Sequence, residues 1–210
     1  MLFYLINNNS IEHFITSVPD DTFVISNQNC AEIKENAFAN SEEKNIVFKS
    51  SITKIKQNAF ENCINLENVI FFCGHKSNKR LGRIIVENQK LSDIIKQQDL
   101  CDGSIYKKVD LNKVNLYLCN SSRHFTVQKE AFKNCTNLKT VIFPCANKIT
   151  IEKDAFWGCE SLRTIIAITK VIDFTNNPFE SCTENLVFIC RKGSNVDKFA
   201  REYGYKTAYV

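Results

Sequence analysis

The sequence has few of the residues that interrupt or divide a chain. Its 210 residues include three prolines and six glycines, so no linker rich in either residue separates one part from another. No apolar run reaches the roughly 18 residues of a membrane-spanning helix. The first residues, MLFYLINNNSIEHF, lack the basic start and long apolar core of a secretory signal. We therefore expect one domain with no membrane span and no export signal of its own.

Signals for nucleic-acid binding are also weak. The formal net charge is +4, and the densest basic cluster is a short stretch at Lys76, Lys79, Arg80 and Arg83. A nucleic-acid surface usually places aromatic residues among its cations so that bases can stack on them. This stretch contains none, so we expect no nucleic-acid partner.

Motifs for catalysis and metal binding are missing as well. The sequence contains no HExxH, no GxSxG and no phosphate-binding glycine loop, and its ten cysteines include no CxxC pair. A catalytic cysteine would need a base, for which only His13, His75 and His124 are available. We therefore predict no enzyme, no metal and no cofactor.

What the chain does have is a repeated phrase: KENAFANS, KQNAFENC, QKEAFKNC, EKDAFWGC and TNNPFESC. Its phenylalanines lie at intervals of 22, 72, 24 and 23 residues, where 72 is three times 24. The repeated phenylalanines are Phe38, Phe60, Phe132, Phe156 and Phe179. The period is about 23 residues, which predicts a solenoid whose coils place one aromatic ring each in a shared interior.

Other positions keep the same offset from the phenylalanine. Five residues before it is a large apolar residue, and immediately before it is a compact one, alanine in four copies and Pro178 in the fifth. Three residues after it is a cysteine, replaced by Ser41 in the first copy. The cysteines of this column are Cys63, Cys135, Cys159 and Cys182. Residues stacked in one column point in parallel, so we expect buried thiols rather than disulfides.

A strand follows each cysteine. The segments LENVIF (66–71) and LKTVIF (138–143) predict strands whose first, fourth and sixth residues face the interior. A second, shorter extended segment precedes each phenylalanine. Coils of this kind bury their apolar edges by stacking, which predicts a β-rich α/β solenoid with parallel strands.

The period is lost in the middle of the chain, where no phenylalanine occupies the positions near Arg83 and Lys108. RIIV (83–86) and VNLYLC (114–119) resemble repeat strands, and LSDIIKQQDL (91–100) has a helical pattern. For 76–124 we favour degenerate coils with an irregular or helical bulge near 88–106 over a separate insertion.

The carboxyl end has the features of a capping helix. Ser194 is the predicted N-cap, with Asp197 three residues on, and Gly204 is the predicted stop. The predicted apolar face consists of Val196, Phe199, Ala200 and Tyr203. We expect a short strand at 207–210 after the helix.

A 23-residue unit with a leucine strand, a second short strand, Ala-Phe and Cys resembles the BspA-like leucine-rich repeat, most clearly over 30–75 and 125–210. The resemblance implies a single leucine-rich-repeat superhelix with stacked parallel strands and a C-terminal capping helix. The predicted parts are an N-terminal cap (1–29), repeats (30–75), degenerate repeats (76–124), repeats (125–192) and a C-terminal cap (193–210). It also implies a protein of the cell-surface, adhesion type that binds a protein of a host or neighbouring cell.

The candidate ligand-binding residues lie on the outward side of the leucine strands. The fifth strand residue is Ile70, Ile142 or Ile166, and these isoleucines predict an exposed apolar column. The charged residues Glu67, Lys139 and Arg163 flank it. Strand propensity alone is an equally good explanation for the isoleucines. The functional alternative to an adhesin is an intracellular scaffold for protein–protein interaction, which the missing export signal favours.

Overall fold

The computed structural model describes residues 2–7, 10–16, 22–25, 30–48, 52–71, 124–143, 146–167, 169 and 171–209. In these residues the chain winds as a solenoid with two sheets, one on each straight side of the coil. The predicted solenoid is confirmed. No described helix is long and apolar enough to cross a membrane.

The first sheet contains the short strand that precedes each repeat phenylalanine. In spatial order its described strands are β1 (Leu2–Asn7), β2 (Ser10–Thr16), β4 (Glu32–Ile33), β6 (Lys54–Ile55), β8 (His124–Val127), β10 (Lys148–Ile151) and β12 (Val171–Phe174). β1 and β2 are antiparallel, and every later pair is parallel. The hairpin therefore forms one end of this sheet.

The second sheet contains the leucine strands and is parallel throughout its described length. Its strands are β3 (Thr22–Ile25), β5 (Asn45–Phe48), β7 (Asn68–Phe71), β9 (Thr140–Ile142), β11 (Thr164–Ile166), β13 (Val187–Cys190) and β14 (Lys206–Tyr209). Leu66, Val69 and Phe71 belong to the core cluster between the sheets, as do Leu138 and Val141. The predicted inward positions are confirmed.

The repeat phenylalanines stack in a continuous column through the core. Successive ring centroids from Phe38 to Phe60, Phe132, Phe156 and Phe179 are 4.8, 4.7, 5.0 and 5.0 Å apart. The planes of neighbouring rings differ by no more than 18°. Because the coils repeat at about the spacing of neighbouring strands, ~4.8 Å, near-parallel rings stay in contact along the column.

The turn around Ala-Phe needs left-handed backbone. Asn36, Asn40, Asn58 and Asn62 have φ between 55° and 61°, and the later coils repeat the pattern. Asparagine tolerates this region better than most side chains. The turn also brings the Phe60 N–H to 2.8 Å from the Ala131 carbonyl oxygen of the next coil. The compact residue before the phenylalanine therefore allows the coils to approach closely.

The coils on either side of the irregular middle segment are in direct contact. β6 pairs with β8, β7 pairs with β9, and Phe60 stacks on Phe132. The described coils at 52–71 and 124–143 are therefore neighbours in both sheets, and the degenerate coils predicted for 76–124 fall almost wholly outside the described residues. The predicted strands 83–86 and 114–119 and the bulge near 88–106 lie outside the described residues.

The helix α1 (Asn195–Glu202) closes the carboxyl end of the core. Ser194 is its N-cap, and the Ser194 Oγ accepts a hydrogen bond from the Asp197 N–H at 3.3 Å. Val196, Phe199 and Ala200 are buried, as expected, but Tyr203 is 43% exposed. Tyr203 is the C-cap residue rather than part of the last helical turn, so it does not share the buried face. The final strand, β14, begins one residue before the predicted start.

The side chain of Asn195 forms hydrogen bonds with the backbone of β12, the last strand of the first sheet. Its Oδ1 accepts from the Ile172 N–H at 3.1 Å, and its Nδ2 donates to the Ile172 carbonyl oxygen. One side-chain amide thus satisfies both backbone groups of an edge residue, as a neighbouring strand would do.

Candidate interaction surfaces

The cysteine column forms a ladder of hydrogen bonds inside the solenoid. The Sγ of Cys63 donates to the Phe38 carbonyl oxygen at 2.9 Å, and the Sγ of Cys135 donates to that of Phe60 at 3.0 Å. The thiols of Cys159 and Cys182 make the same contact with the coil before them, at 3.1 and 3.6 Å. Each of these carbonyls also accepts a backbone N–H within its own turn, so the thiol adds a hydrogen bond that links it to the next coil.

These thiols are poor nucleophiles. Burial raises the pKa of Cys159, and it raises the pKa of Cys182 to about 12. Since the thiolate is the reactive form, almost none is present near neutral pH. His124 lies exposed at the start of β8, and His75 lies outside the described residues. Among the described side chains, no group of three or more His, Cys, Asp or Glu residues could hold a metal ion.

The isoleucine column is not exposed. Ile70 and Ile142 are 0% exposed and Ile166 is 4% exposed, so the prediction of a solvent-facing apolar stripe is wrong. The three residues lie in register on β7, β9 and β11 and point away from the phenylalanine core, which contains their neighbours Val69, Val141 and Ile165. Facing away from the core does not require facing water, because other parts of the chain can lie on that side.

The charged residues predicted beside the isoleucines have a different environment. Lys139 is exposed, and its Nζ lies 3.0 Å from Glu67 Oε2. Arg163 is exposed in the next coil. The structure thus places these three residues at the accessible start of the leucine strands and separates them from the buried isoleucines.

Two exposed apolar side chains lie close to these charges along the chain. Trp157 is 48% exposed and Ile64 is 55% exposed. Both belong to the connection between the repeat phenylalanine and the leucine strand, for which the three central coils supply residues 61–67, 133–139 and 157–163. We call this surface the turn flank. Trp157 was not among the site residues predicted from the sequence. The signal that could have identified it is that the equivalent position holds the charged residues Glu61 and Lys133 in the two preceding coils.

A family model described as the BspA type leucine rich repeat region, in six copies, matches residues 6–111 and 101–200. The chain belongs to this family. No curated protein and no solved structure matches the sequence.

As a BspA-type leucine-rich repeat, the chain divides its residues between two tasks. The phenylalanine, cysteine and leucine columns build the core and are unavailable to a ligand. The positions between them vary from coil to coil, as at the exposed Ile64 and Glu160 and the half-buried Thr136. Such a solenoid presents an extended surface to macromolecules, since each coil adds one row of variable side chains to a fixed scaffold.

Proposed function

We propose that this chain is a protein-binding leucine-rich-repeat module of the cell-surface, adhesion type, without catalytic activity, and that it contacts its protein ligand through the turn flank. The observation that carries the proposal is the 48% exposure of Trp157, which lies on the same turn-flank segment, 157–163, as the exposed Arg163. Tryptophan and arginine are the residues most enriched among those that dominate binding energy at protein interfaces.

The apolar part of the turn flank supports this choice of surface. An indole that is half exposed on a rigid turn can be buried by a partner at little conformational cost, because its backbone is already held. The backbone N–H of Trp157 donates to the Asp154 carbonyl oxygen at 3.0 Å, and the backbone carbonyl of Trp157 accepts from the backbone N–H of Asn134 at 2.7 Å. The ring therefore projects from a fixed point.

The charged part supports a ligand with acidic groups. Lys139 is paired with Glu67, and Lys133 lies 3.2 Å from Glu61, so these cations are already partly compensated. Arg163 is the exposed cation of the following coil. A partner that places an acidic side chain near an apolar one would complement Arg163 and Trp157 together.

The test is binding of fluorescently labelled protein to intact candidate target cells, read by flow cytometry. We expect saturable binding that falls about tenfold or more in the double variant Trp157→Ala, Arg163→Glu, as loss of a hot-spot residue typically costs ~2 kcal/mol. A matched control is Val171→Ala, Lys153→Glu, which removes another exposed apolar residue and reverses another exposed cation. Equal binding by both double variants would remove the turn flank as the contact surface.

The same labelled protein also tests the intracellular scaffold. None of the six cysteines in the described residues forms a disulfide, which is compatible with a reducing compartment. Under that alternative, the protein binds no intact cell but pulls down a defined partner from its own cytosol, and the turn-flank variant reduces that capture. If the native protein were also found inside the cell, the scaffold would be the better explanation and the adhesion proposal would be abandoned.

A further inference from the structure

The two sheets end differently beside the helix α1. At the edge of the first sheet, the Asn195 side chain bonds both backbone groups of Ile172 in β12. At the edge of the second sheet, β14 pairs with β13 on one side, and within the described residues it has no strand on its other side. An open strand edge can accept a further strand, whereas a side chain that bonds the edge backbone takes the place of one.

The pairing of β14 shows which of its backbone groups face the open edge. The Lys206 N–H donates to the Leu186 carbonyl oxygen at 3.3 Å, so the backbone groups of Lys206 point toward β13. This direction alternates along a strand, so the backbone groups of Ala208 also point toward β13, while those of Thr207 and Tyr209 point away. In the described part of the chain, the N–H groups of Thr207 and Tyr209 have no backbone acceptor.

Cations lie on both faces of β14. On the helix side, the Arg201 Nη2 donates to the Tyr209 hydroxyl at 2.7 Å, and the Lys192 Nζ lies 6.0 Å from the centroid of the Tyr209 ring. Side chains alternate between the two faces of a strand. Lys206 is exposed on the opposite face, in register with Val187, whose side chain is not part of the core. The open edge therefore lies between positive charges.

The Arg201 guanidinium is held in place and still presents donors to solvent. Its Nε donates to Asp197 Oδ1 at 2.9 Å, and its Nη2 donates to the Tyr209 hydroxyl. These contacts leave other N–H groups of the guanidinium available, and the side chain is 61% exposed. A planar guanidinium fixed in this way is suited to binding a carboxylate.

The charge of the cap favours an anionic partner. The segment 191–209 contains five basic and two acidic residues, a surplus of three positive charges, while the whole chain has a formal net charge of +4. One of the two acids, Asp197, is only 3% exposed, and its carboxylate accepts three hydrogen bonds from within the cap. Among anionic macromolecules, a polypeptide can also bond the open backbone of β14 through its own amides.

From this geometry we propose that the open edge of β14 is a second docking surface, and that its partner is an extended acidic segment of another protein, which adds as a strand beside β14. Acidic side chains on one face of the added strand lie next to Lys192 and Arg201, and those on the other face lie next to Lys206. This inference goes beyond the proposed function and does not depend on it, because it concerns the C-terminal cap and not the turn flank.

The test uses the full chain and a fluorescein-labelled peptide of alternating glutamate and valine, with binding followed by fluorescence anisotropy. We expect saturable binding that becomes about fivefold or more weaker in Lys192→Glu, because the reversed charge repels the peptide. Lys153→Glu is the matched control, since it reverses another exposed lysine outside the cap, and it should bind as the wild type does. Equal affinity of the two variants would contradict the proposal.

Two further measurements distinguish strand addition from simple attraction of anions. The same peptide with its backbone amides N-methylated keeps its charge but cannot donate to β14, so it should bind at least ~10-fold more weakly. In the wild type, the unmodified peptide should slow hydrogen exchange of the Thr207 and Tyr209 amides, as read by NMR. The Ala208 amide, which already faces β13, is the internal control and should change less.

Undiminished binding of the N-methylated peptide, or unchanged exchange at Thr207 and Tyr209, would overturn the proposal. A second copy of the chain is the other occupant that these measurements can detect. If both amides are already protected in the free protein and sedimentation velocity shows a dimer, the edge pairs with a second copy, and the proposed acidic partner is rejected.

Discussion

Phe156 is the position where the phenylalanine column is best tested. Its ring stacks on Phe132 and on Phe179 with centroids 5.0 Å apart in both cases, and it is 0% exposed. Replacing a buried phenylalanine with alanine typically costs about 3–5 kcal/mol through lost burial and the cavity left behind. Aromatic pairs contribute ~0.5–1.5 kcal/mol beyond burial, and the two stacked pairs of Phe156 place it toward the upper end of that range. For Phe156→Ala we therefore expect a loss of about 4–5 kcal/mol in the free energy of unfolding.

The measurement is urea denaturation followed by far-ultraviolet circular dichroism. Phe156→Leu keeps most of the volume but loses the stacking on Phe132 and Phe179, so it should cost about 1–3 kcal/mol. Lys153→Ala, three residues earlier on an exposed position, should change stability by less than ~0.5 kcal/mol. If Phe156→Ala and Lys153→Ala are equally stable, stacked rings do not hold the coils together.

Three further predictions concern the turns, the thiols and the cap. Gly158→Ala should cost at least ~1 kcal/mol more than Gly193→Ala in the same assay. Both glycines have positive φ, but a Cβ at 158 would lie 2.6 Å from Asn134 Oδ1, whereas at 193 it meets nothing. In native protein at pH 8, iodoacetamide should label Cys182 very slowly, because a pKa of about 12 leaves about 1 thiol in 10,000 ionised. Peptide mass spectrometry of protein labelled before and after unfolding measures the difference. Asp197→Asn should destabilise the protein at neutral pH. Hydrogen bonds from the Gly193 N–H at 2.7 Å and from Arg201 hold the pKa of Asp197 below its usual range. The contribution of the Asp197 carboxylate to stability is therefore present above that range and declines in acid. The urea midpoints of variant and wild type should converge at acidic pH.

The repetitive part of the fold was predictable because each coil repeats the same physical problem. The residues that face the core recur at fixed offsets, so Phe132, Cys135 and Leu138 could be assigned to the interior from their spacing alone. The N-cap at Ser194 was predictable for a similar reason, as its partner Asp197 lies three residues away. Local patterns determine local contacts.

The rest depends on contacts that a repeat pattern does not contain. The interval of 72 residues between Phe60 and Phe132 is three times 24, and this spacing could not show that the two rings stack on each other at 4.7 Å. Strand alternation correctly placed Ile142 away from the core but carried no information about what lies on that side. Trp157 was overlooked because it occurs once, at a repeat position that holds charged residues in the neighbouring coils, and a search for repeated residues does not detect a residue that is not repeated.

The junction between the coils at 52–71 and 124–143 has a consequence for assembly. Elsewhere in the column, neighbouring rings are 22 to 24 residues apart in sequence, but Phe60 and Phe132 are separated by 72. In the unfolded chain, bringing together two positions three times further apart in sequence costs about 1 kcal/mol more in chain entropy. Contacts within each described block of coils join residues that are close in sequence, so we expect them to form before the contact between Phe60 and Phe132.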